Sequence, residues 1–394
     1  MIQASNHHAC QRTDMTTNLE SRLPKACFAF RGYNLTNLGR SHELLAHPAY
    51  GDLVKTVLKE AAEHASDAAG RRIDLVDRVR DDRETTLKTF ADAIGLIVGM
   101  EIAQIRLLTE FFGIDFGAAK LAMGYSLGEI SAIVCAGVLE MHDALRVTVS
   151  MADDCAELGR DTTMGILFSR GPALDIHAIQ KICAQINQEG KGVCGISSHL
   201  SPNTVLFLGQ HKTVERFDEH RREHLPKHVH LRKNKKHWPP MHTPIIWERN
   251  IPNRAAFMMH TAAGGFSEPK PPVASLVTGK VNYNDFNARD IMNRWIDHPQ
   301  RVWDAVYESL NRGVETVIHV GPEPNMFPTT FKRLSDNVRS QLEGRMPGNI
   351  GMRVASRLAQ RPWLTAILPS RTALLRAPFL QHIILEDWLL EQKV

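Results

Sequence analysis

Gly124-Tyr125-Ser126-Leu127-Gly128 is a G-x-S-x-G run. It lies between a short apolar stretch, Lys120–Met123, that reads as a buried strand and an apolar segment, Leu127–Leu139, that reads as a helix. A serine at a strand-to-helix turn is a candidate nucleophile. The glycines permit a tight elbow that lifts the hydroxyl into the open. The amide after the serine points to the same place and can hold an oxyanion, and the helix N-terminus adds partial positive charge. The bland alternative is a structural Gly-Ser turn, which the strand–turn–helix context disfavours. A serine hydroxyl also needs a base. The chain holds 19 His, so position rather than presence must select one. His242, in Pro240-Met241-His242-Thr243-Pro244, is fixed by flanking prolines and opens a new core segment. Read alone, it is as readily an ordinary loop histidine.

Several elements must hold these two groups. Cys27–Phe30 reads as a buried strand feeding Arg31-Gly32, and Thr86–Phe112 as a long apolar helix closed by Gly113. From Met164 the rhythm changes to strand Met164–Ser169, helix Leu174–Glu189, strands Val193–Ser198 and Asn203–Leu208, helix Thr213–His224 and strand His228–Arg232. That βαββαβ order is the split unit of a ferredoxin-like domain. Strand-like Val273–Val277 and Thr316–Val320 follow, with helical Ala288–Ile296 and Trp303–Arg312 between them. Leu374–Leu390 has the pattern of an amphipathic helix. The expected organisation is an α/β hydrolase-like core with a short parallel sheet, built from residues 23–162 and 234–334. A ferredoxin-like small subdomain over 163–233 is inserted in it. Residues 1–22 are expected to be a disordered tail and 335–394 a C-terminal helical extension.

Composition bounds the partners. Of 394 residues, 43% are hydrophobic and 23% charged, which is globular rather than disordered. The longest uncharged run, 192–211, holds Ser, Asn, Thr and Pro, so no membrane span is expected. No secretory h-region opens the chain, and the six Cys form no CxxC, so a cytoplasmic location is expected. A net charge of +4 is too mild to imply nucleic acid. Between His220 and Trp238, however, lie seven Lys/Arg, five His and a single acid. This stretch is either a solvated edge or a docking surface for an acidic partner. Within it, His220-x-x-Glu223-His224 spells a metalloprotease pattern, but on a charged segment without an apolar back, which disfavours metal.

The motifs together resemble a known family. Gly124–Glu129 (GYSLGE) is similar to the nucleophile motif, usually GHSxGE, of malonyl-CoA:acyl-carrier-protein transacylases and polyketide-synthase acyltransferase domains. Phe28–Asn34 resembles the family's F-x-G-Q-G loop, His242-Thr243-Pro244 its catalytic-His segment, and His319–Pro328 its C-terminal strand and G-P loop. The resemblance covers roughly residues 25–335. It implies that Ser126 attacks an acyl-CoA thioester with His242 as base. The acyl group then passes from the Ser126 ester to the phosphopantetheine thiol of an acyl carrier protein. It also implies an oxyanion site at the amides of Leu127 and Tyr33, a main-chain carbonyl near Arg301 that orients His242, and neither metal nor bound cofactor.

Departures from the family pattern concern the substrate. Counting 25 positions on from Ser126, where the family places its carboxylate-binding Arg, reaches Met151. The loop Gln falls on Tyr33, the residue before the serine is Tyr125, and Lys88–Met100 contains no Gln. With Gly32, Tyr125, Met151 and Met241 expected around the substrate, the pocket suits a neutral, non-malonyl acyl group, because a buried unpaired carboxylate is expensive. The competing reading has Arg146 or Arg160 replacing the missing cation. Two other functions stay open: an acyl-thioester hydrolase on the same scaffold, and a non-catalytic partner of a synthase.

Overall fold

The computed structural model describes residues 19–343 and 362–394. The expected disordered tail lies outside the described residues up to position 18. Leu19, inside the expected tail, is instead buried in the main core.

Strand β1 (Ala26–Phe30) and strand β2 (Leu121–Gly124) are buried at every position and pair in parallel, with Phe30 opposite Gly124. Near-continuous apolar runs of this kind belong to parallel strands covered on both faces. One cover is the helix Phe90–Phe112, whose Gly95 and Gly99 face the helix Gly51–Ala69. A Cβ on Gly99 would come within 3.0 Å of the Ala61 Cβ, so small residues set this close approach. No helix among the described residues is long and apolar enough to cross a membrane.

The inserted subdomain carries β3 (Thr162–Ser169), β4 (Cys194–Ser201), β5 (Thr204–Gln210) and β6 (Val229–His237) in the antiparallel order β4-β5-β3-β6. Helices Ile176–Gln188 and Thr213–His224 cover one face. The two-residue period of β5 divides its side chains. Val205 and Phe207 enter the core beneath the helices, while Leu206 and Leu208 point to a cavity shared with the large domain. β6 runs on to His237, past the expected boundary at 233.

The large sheet is completed by β7 (Val273–Ser275), β8 (Lys280–Val281), β9 (Thr316–Val320) and β10 (Gln381–Ile384), in the order β10-β9-β1-β2-β7-β8. All of these pairings are parallel except β7 with β8. The chain leaves β1, β2 and β9 at one carboxyl edge, where open α/β sheets place their ligands.

The C-terminal stretch departs from expectation. Leu374–Leu390 is not one helix. It divides into a 3-10 segment Thr372–Phe379, the edge strand β10 and a short helix Leu385–Glu391. Ile383 and Ile384, both half-buried, pair in parallel with Ile318 and His319 at the edge of β9, so a strand interrupts the amphipathic pattern. The following helix buries Leu385, Trp388 and Leu389 in the main core, and the Tyr50 hydroxyl donates to the Leu389 carbonyl (3.1 Å). Helix Met326–Glu343 also crosses the expected boundary at 334. Trp388 packs edge-on against Phe112 with centroids 4.9 Å apart. Trp388→Ala is therefore expected to destabilise the large domain by about 3–5 kcal/mol, as a buried Trp loss does. A denaturation midpoint shifted by under about 1 kcal/mol, the size of a surface change, would mean that this segment only rests on the surface.

Candidate active site

Ser126 joins β2 to the helix Leu127–Cys135 with φ 55° and ψ −117°. A non-glycine residue held there costs roughly 1–3 kcal/mol, so neighbouring packing must enforce it. A Cβ on Gly124 would lie 2.0 Å from the Gly128 carbonyl carbon, and one on Gly128 would lie 2.4 Å from the Phe30 and Arg31 carbonyl oxygens. The elbow and β1 therefore touch backbone to backbone, which only glycine permits. Glu129 pins the helix that follows. Its carboxyl accepts from the Leu276 amide (3.0 Å) and the Tyr283 hydroxyl (2.8 Å). Burial pushes that carboxyl up to about 7 against the pull of these hydrogen bonds.

His242 also has positive φ, 65°. Its amide donates to the Ile296 carbonyl (2.8 Å), and the Thr243 hydroxyl donates to the Pro240 carbonyl (2.6 Å), which fixes the loop. The ring Nε2 lies 2.8 Å from the Ser126 Oγ, and Nδ1 lies 2.6 Å from the Trp295 carbonyl oxygen. A carbonyl only accepts, so Nδ1 carries the proton and the Nε2 lone pair faces the hydroxyl. The Trp295 indole N–H donates to the Ser126 carbonyl (2.9 Å), so one residue holds both members of the pair. Burial pushes the imidazole down to about 4, opposed by the Trp295 carbonyl and by Asp297.

The orienting carbonyl was expected near Arg301, and the structure corrects this to Trp295. Trp295 ends the helix Ala288–Trp295, whose last carbonyls have no partner within the helix and are free to accept. Arg301 instead donates from Nε to Asp304 (2.7 Å) and from its amide to the Leu276 carbonyl (2.7 Å). Its neighbour Gln300 reaches the elbow, with Oε1 accepting from the Ser126 amide (3.3 Å). The Gln300 backbone bonds in both directions to β4, through Ser197 and His199 (2.8 Å each). Nothing in the sequence marked Trp295 or Gln300; both act through positions 169 and 174 residues from Ser126.

Ser126 and His242 open onto a cavity of about 400 Å³. Gly32, Tyr33, Tyr125, Leu127 and Met241 line it, together with Phe90, Ile94, Met164, Leu206, Leu208 and Trp238. No Asp, Glu, Lys or Arg lines it among the described residues. Met151, expected on this wall, does not line it. It sits at the break between helices Met141–Val149 and Ala152–Gly159 and is buried in the core, while Thr148 and Cys155, about a turn to either side, reach the cavity. The break interrupts the helical period, so a count from Ser126 does not carry across it. Arg146 and Arg160 do not reach the cavity either. Arg146 is taken up by the Met258 carbonyl (3.1 Å) and Thr261, and Arg160 is exposed.

Gly32 has no room for a side chain, since a Cβ there would meet the Tyr125 carbonyl oxygen at 2.5 Å. The Tyr33 ring lies edge-on between Phe90 (5.0 Å) and Trp238 (6.3 Å). The amides of Tyr33 and Leu127 have no acceptor among the described residues. Sequence reasoning missed the group that holds this loop, Arg31. Its buried guanidinium donates to the Gly32 carbonyl (2.9 Å), the Asn37 Oδ1 (2.7 Å) and the Pro322 carbonyl, which ties the loops after β1 and β9 together.

The basic stretch begins on the end of helix Thr213–His224, continues as the exposed edge strand β6 and leads directly to Trp238 on the cavity wall. Among the described residues no group of three or more His, Cys, Asp or Glu is placed to hold a metal.

No protein-family model matches the chain. A malonyl CoA-acyl carrier protein transacylase of Bacillus subtilis is 22% identical over 316 residues, covering 79% of this chain and 71% of the relative. The enzyme of the same description from Escherichia coli K12 is 28% identical over 226 residues, 56% of this chain and 68% of the relative. A polyketide synthase of Streptomyces halstedii is 25% identical over 58% of this chain, which spans only 3% of that synthase. Among solved structures, the Streptococcus pneumoniae enzyme superposes with a TM-score of 0.61 at 21% identity, over 78% of this chain and 92% of that one. A malonyl-transacylase in complex with a type II polyketide-synthase acyl carrier protein gives 0.58 at 22% identity, over the same shares. At these identities the structures show the fold, and the curated relatives carry the kinship. The elbow, the distant histidine and the inserted ferredoxin-like subdomain thus occur together in a chain that is similar in sequence to malonyl-CoA:acyl-carrier-protein transacylases and polyketide synthases and shares the transacylase fold.

Proposed function

We propose that this protein is an acyltransferase of fatty-acid or polyketide-type biosynthesis that moves a neutral acyl group from a CoA thioester, through an ester on Ser126, to the phosphopantetheine thiol of an acyl carrier protein. The observation that carries the proposal is the 2.8 Å contact between Ser126 Oγ and His242 Nε2 at the mouth of an uncharged cavity. In the first half-reaction the imidazole takes the hydroxyl proton as Oγ attacks the thioester carbonyl carbon. The developing oxyanion is met by the unengaged amides of Leu127 and Tyr33. Collapse breaks the C–S bond, and His242 returns its proton to the departing CoA sulfur. The second half-reaction repeats these steps with the carrier thiol as nucleophile and Ser126 as leaving group. The basic edge β6, ending at Trp238, is where an acidic carrier protein would approach.

Malonyl and methylmalonyl groups carry a free carboxylate. The described lining of this cavity offers them no cation, and an isolated buried carboxylate costs several kcal/mol even after relaxation. Each methylene buried against Phe90, Ile94 or Leu206 gains about 0.8 kcal/mol. These magnitudes favour an uncharged chain.

Two measurements test this reading. Intact-mass analysis after incubation with a panel of acyl-CoAs is expected to show a Ser126 adduct from neutral acyl groups at higher occupancy than from malonyl, and none in Ser126→Ala. Dominant malonyl labelling would overturn the neutral-acyl assignment. Adding a holo carrier protein should move the label to the carrier; label lost to water instead would identify a hydrolase.

The second concerns pH. With the imidazole held near 4 rather than 6.5, it is neutral and basic at all pH values well above 4. Acylation of Ser126 is expected to hold its rate from pH 8 to about 5 and to fall only below that. Between 6.5 and 4 the unfolded chain binds a proton that the native ring refuses, so this group also withdraws stability as the pH falls through that window. A rate limb near 6.5 would mean a solvated ring.

A further inference from the structure

A second, larger cavity of about 710 Å³ adjoins the first, and the two share Met326 and Thr329. Both residues stand on the helix Met326–Glu343, whose Thr330, Arg333 and Asn337 also line the second cavity. Positions 326, 329, 330, 333 and 337 fall on one helical face. At 1.5 Å per residue this stripe leads away from the Ser126 cavity over roughly 16 Å. Opposite it, the subdomain contributes Arg170 just after β3 and Asn203 from the β4–β5 turn. Trp303 and Trp363 pack edge-on (5.7 Å) as part of the wall.

The two cavities differ in charge. The first has none. The second carries Arg170 and Arg333, and neither guanidinium has a hydrogen-bond or ion-pair partner among the described residues. The carboxylate on the same lining, Asp336, lies 3.3 Å from Lys332. An uncharged chamber at the nucleophile, and beyond it a second chamber with hydroxyls, amides and two unengaged guanidinium groups, match one kind of molecule. A phosphopantetheine thioester has an acyl end, a linker with two amides and a phosphate at its terminus. Guanidinium is the side chain best matched to phosphate oxygens.

We propose that the second cavity binds the phosphorylated end of the pantetheine thioester attacked at Ser126, with Arg170 and Arg333 on the phosphate. The proposal rests on the acyl-transfer reading and extends it to a subsite that the nucleophile's surroundings do not include. Coenzyme A and a holo carrier protein both present this phosphate, and kinetics distinguish them.

The test is the double variant Arg170→Ala/Arg333→Ala, both exposed positions. Its Ser126 acylation is measured with hexanoyl-CoA and with the hexanoyl thioester of N-acetylcysteamine, which lacks the phosphate. Unloading of the hexanoyl ester to a holo carrier protein is measured in parallel. The expected result is a KM for hexanoyl-CoA raised about tenfold or more, as for loss of a charge-assisted contact, with kcat and the N-acetylcysteamine reaction unchanged. A KM raised for the holo carrier alone would assign the phosphate to the carrier's diester and leave the cavity's chemistry as proposed. Unchanged KM for both phosphate-bearing substrates, or an equal loss with the N-acetylcysteamine thioester, would overturn the proposal. Failure of the unsubstituted protein to acylate Ser126 from any thioester would overturn the acyl-transfer reading itself, and the proposal with it.

Discussion

In the proposed reaction His242 is ready to take a proton because burial keeps it unprotonated. Its ring is almost wholly buried, and the shift of its proton affinity toward 4 comes from desolvation of the charged form. Two fixed contacts determine what the dry ring can do: the Trp295 carbonyl at Nδ1 and the Ser126 hydroxyl at Nε2. Water in the site would satisfy both nitrogens, free the tautomer and raise the affinity for a proton. Much of the surrounding structure can be understood as the means of excluding it. The subdomain sheet supplies Leu206 and Leu208 to the far wall, Trp238 and Tyr33 close one side, and Gln300 ties β4 to the elbow so that the wall and the nucleophile share one frame.

On the proposed reading, the same dryness bears on substrate choice. A site that penalises an imidazolium also penalises a carboxylate, and Arg31, the buried cation nearest in sequence to the oxyanion loop, is not free to relieve it. Its donors are occupied by main-chain carbonyls and Asn37, where it serves as a clamp between two loops. Burial also pulls its own proton affinity down, which makes those acceptors necessary rather than ornamental. A charge used to hold backbone in place is unavailable to a ligand.

What could be read from the sequence follows from how local each constraint is. The elbow was legible because glycine, serine and glycine at fixed spacing between a strand and a helix encode a local conformation. The βαββαβ insert was legible because its periods change from 2 to 3.6 within short segments. His242 needed the family's order of motifs, since a histidine among prolines has many uses. Met151 failed because a helix break at 150–151 destroys any argument from counting. Leu374–Leu390 failed because the free edge of β9, a tertiary feature, overrides a helical pattern. Arg301 failed by six residues: the segment was right, but a carbonyl acceptor can come from any residue, and only the end of a helix picks out Trp295. Gln300 and Arg31 left no signal, because their roles consist of contacts with distant backbone.

That failure points to how such a site can vary. In the proposed reaction the oxyanion meets two amides, the base is aimed by a carbonyl, and the nucleophile is raised by backbone strain. All three devices are main-chain groups, indifferent to the side chains of the residues that supply them. Tyr33 can therefore present its N–H whatever its side chain, while its ring joins Phe90 and Trp238 in forming the pocket. Chemistry written in backbone and specificity written in side chains can drift separately. In a chain 22–29% identical to curated transacylases, a Ser126–His242 pair thus faces a cavity that no Asp, Glu, Lys or Arg lines among the described residues. The residues that hold backbone to backbone here are Gly124, Gly128, Gly32, Arg31 and Glu129. Each meets main-chain atoms at distances that leave no room for another residue or makes hydrogen bonds that few others could replace.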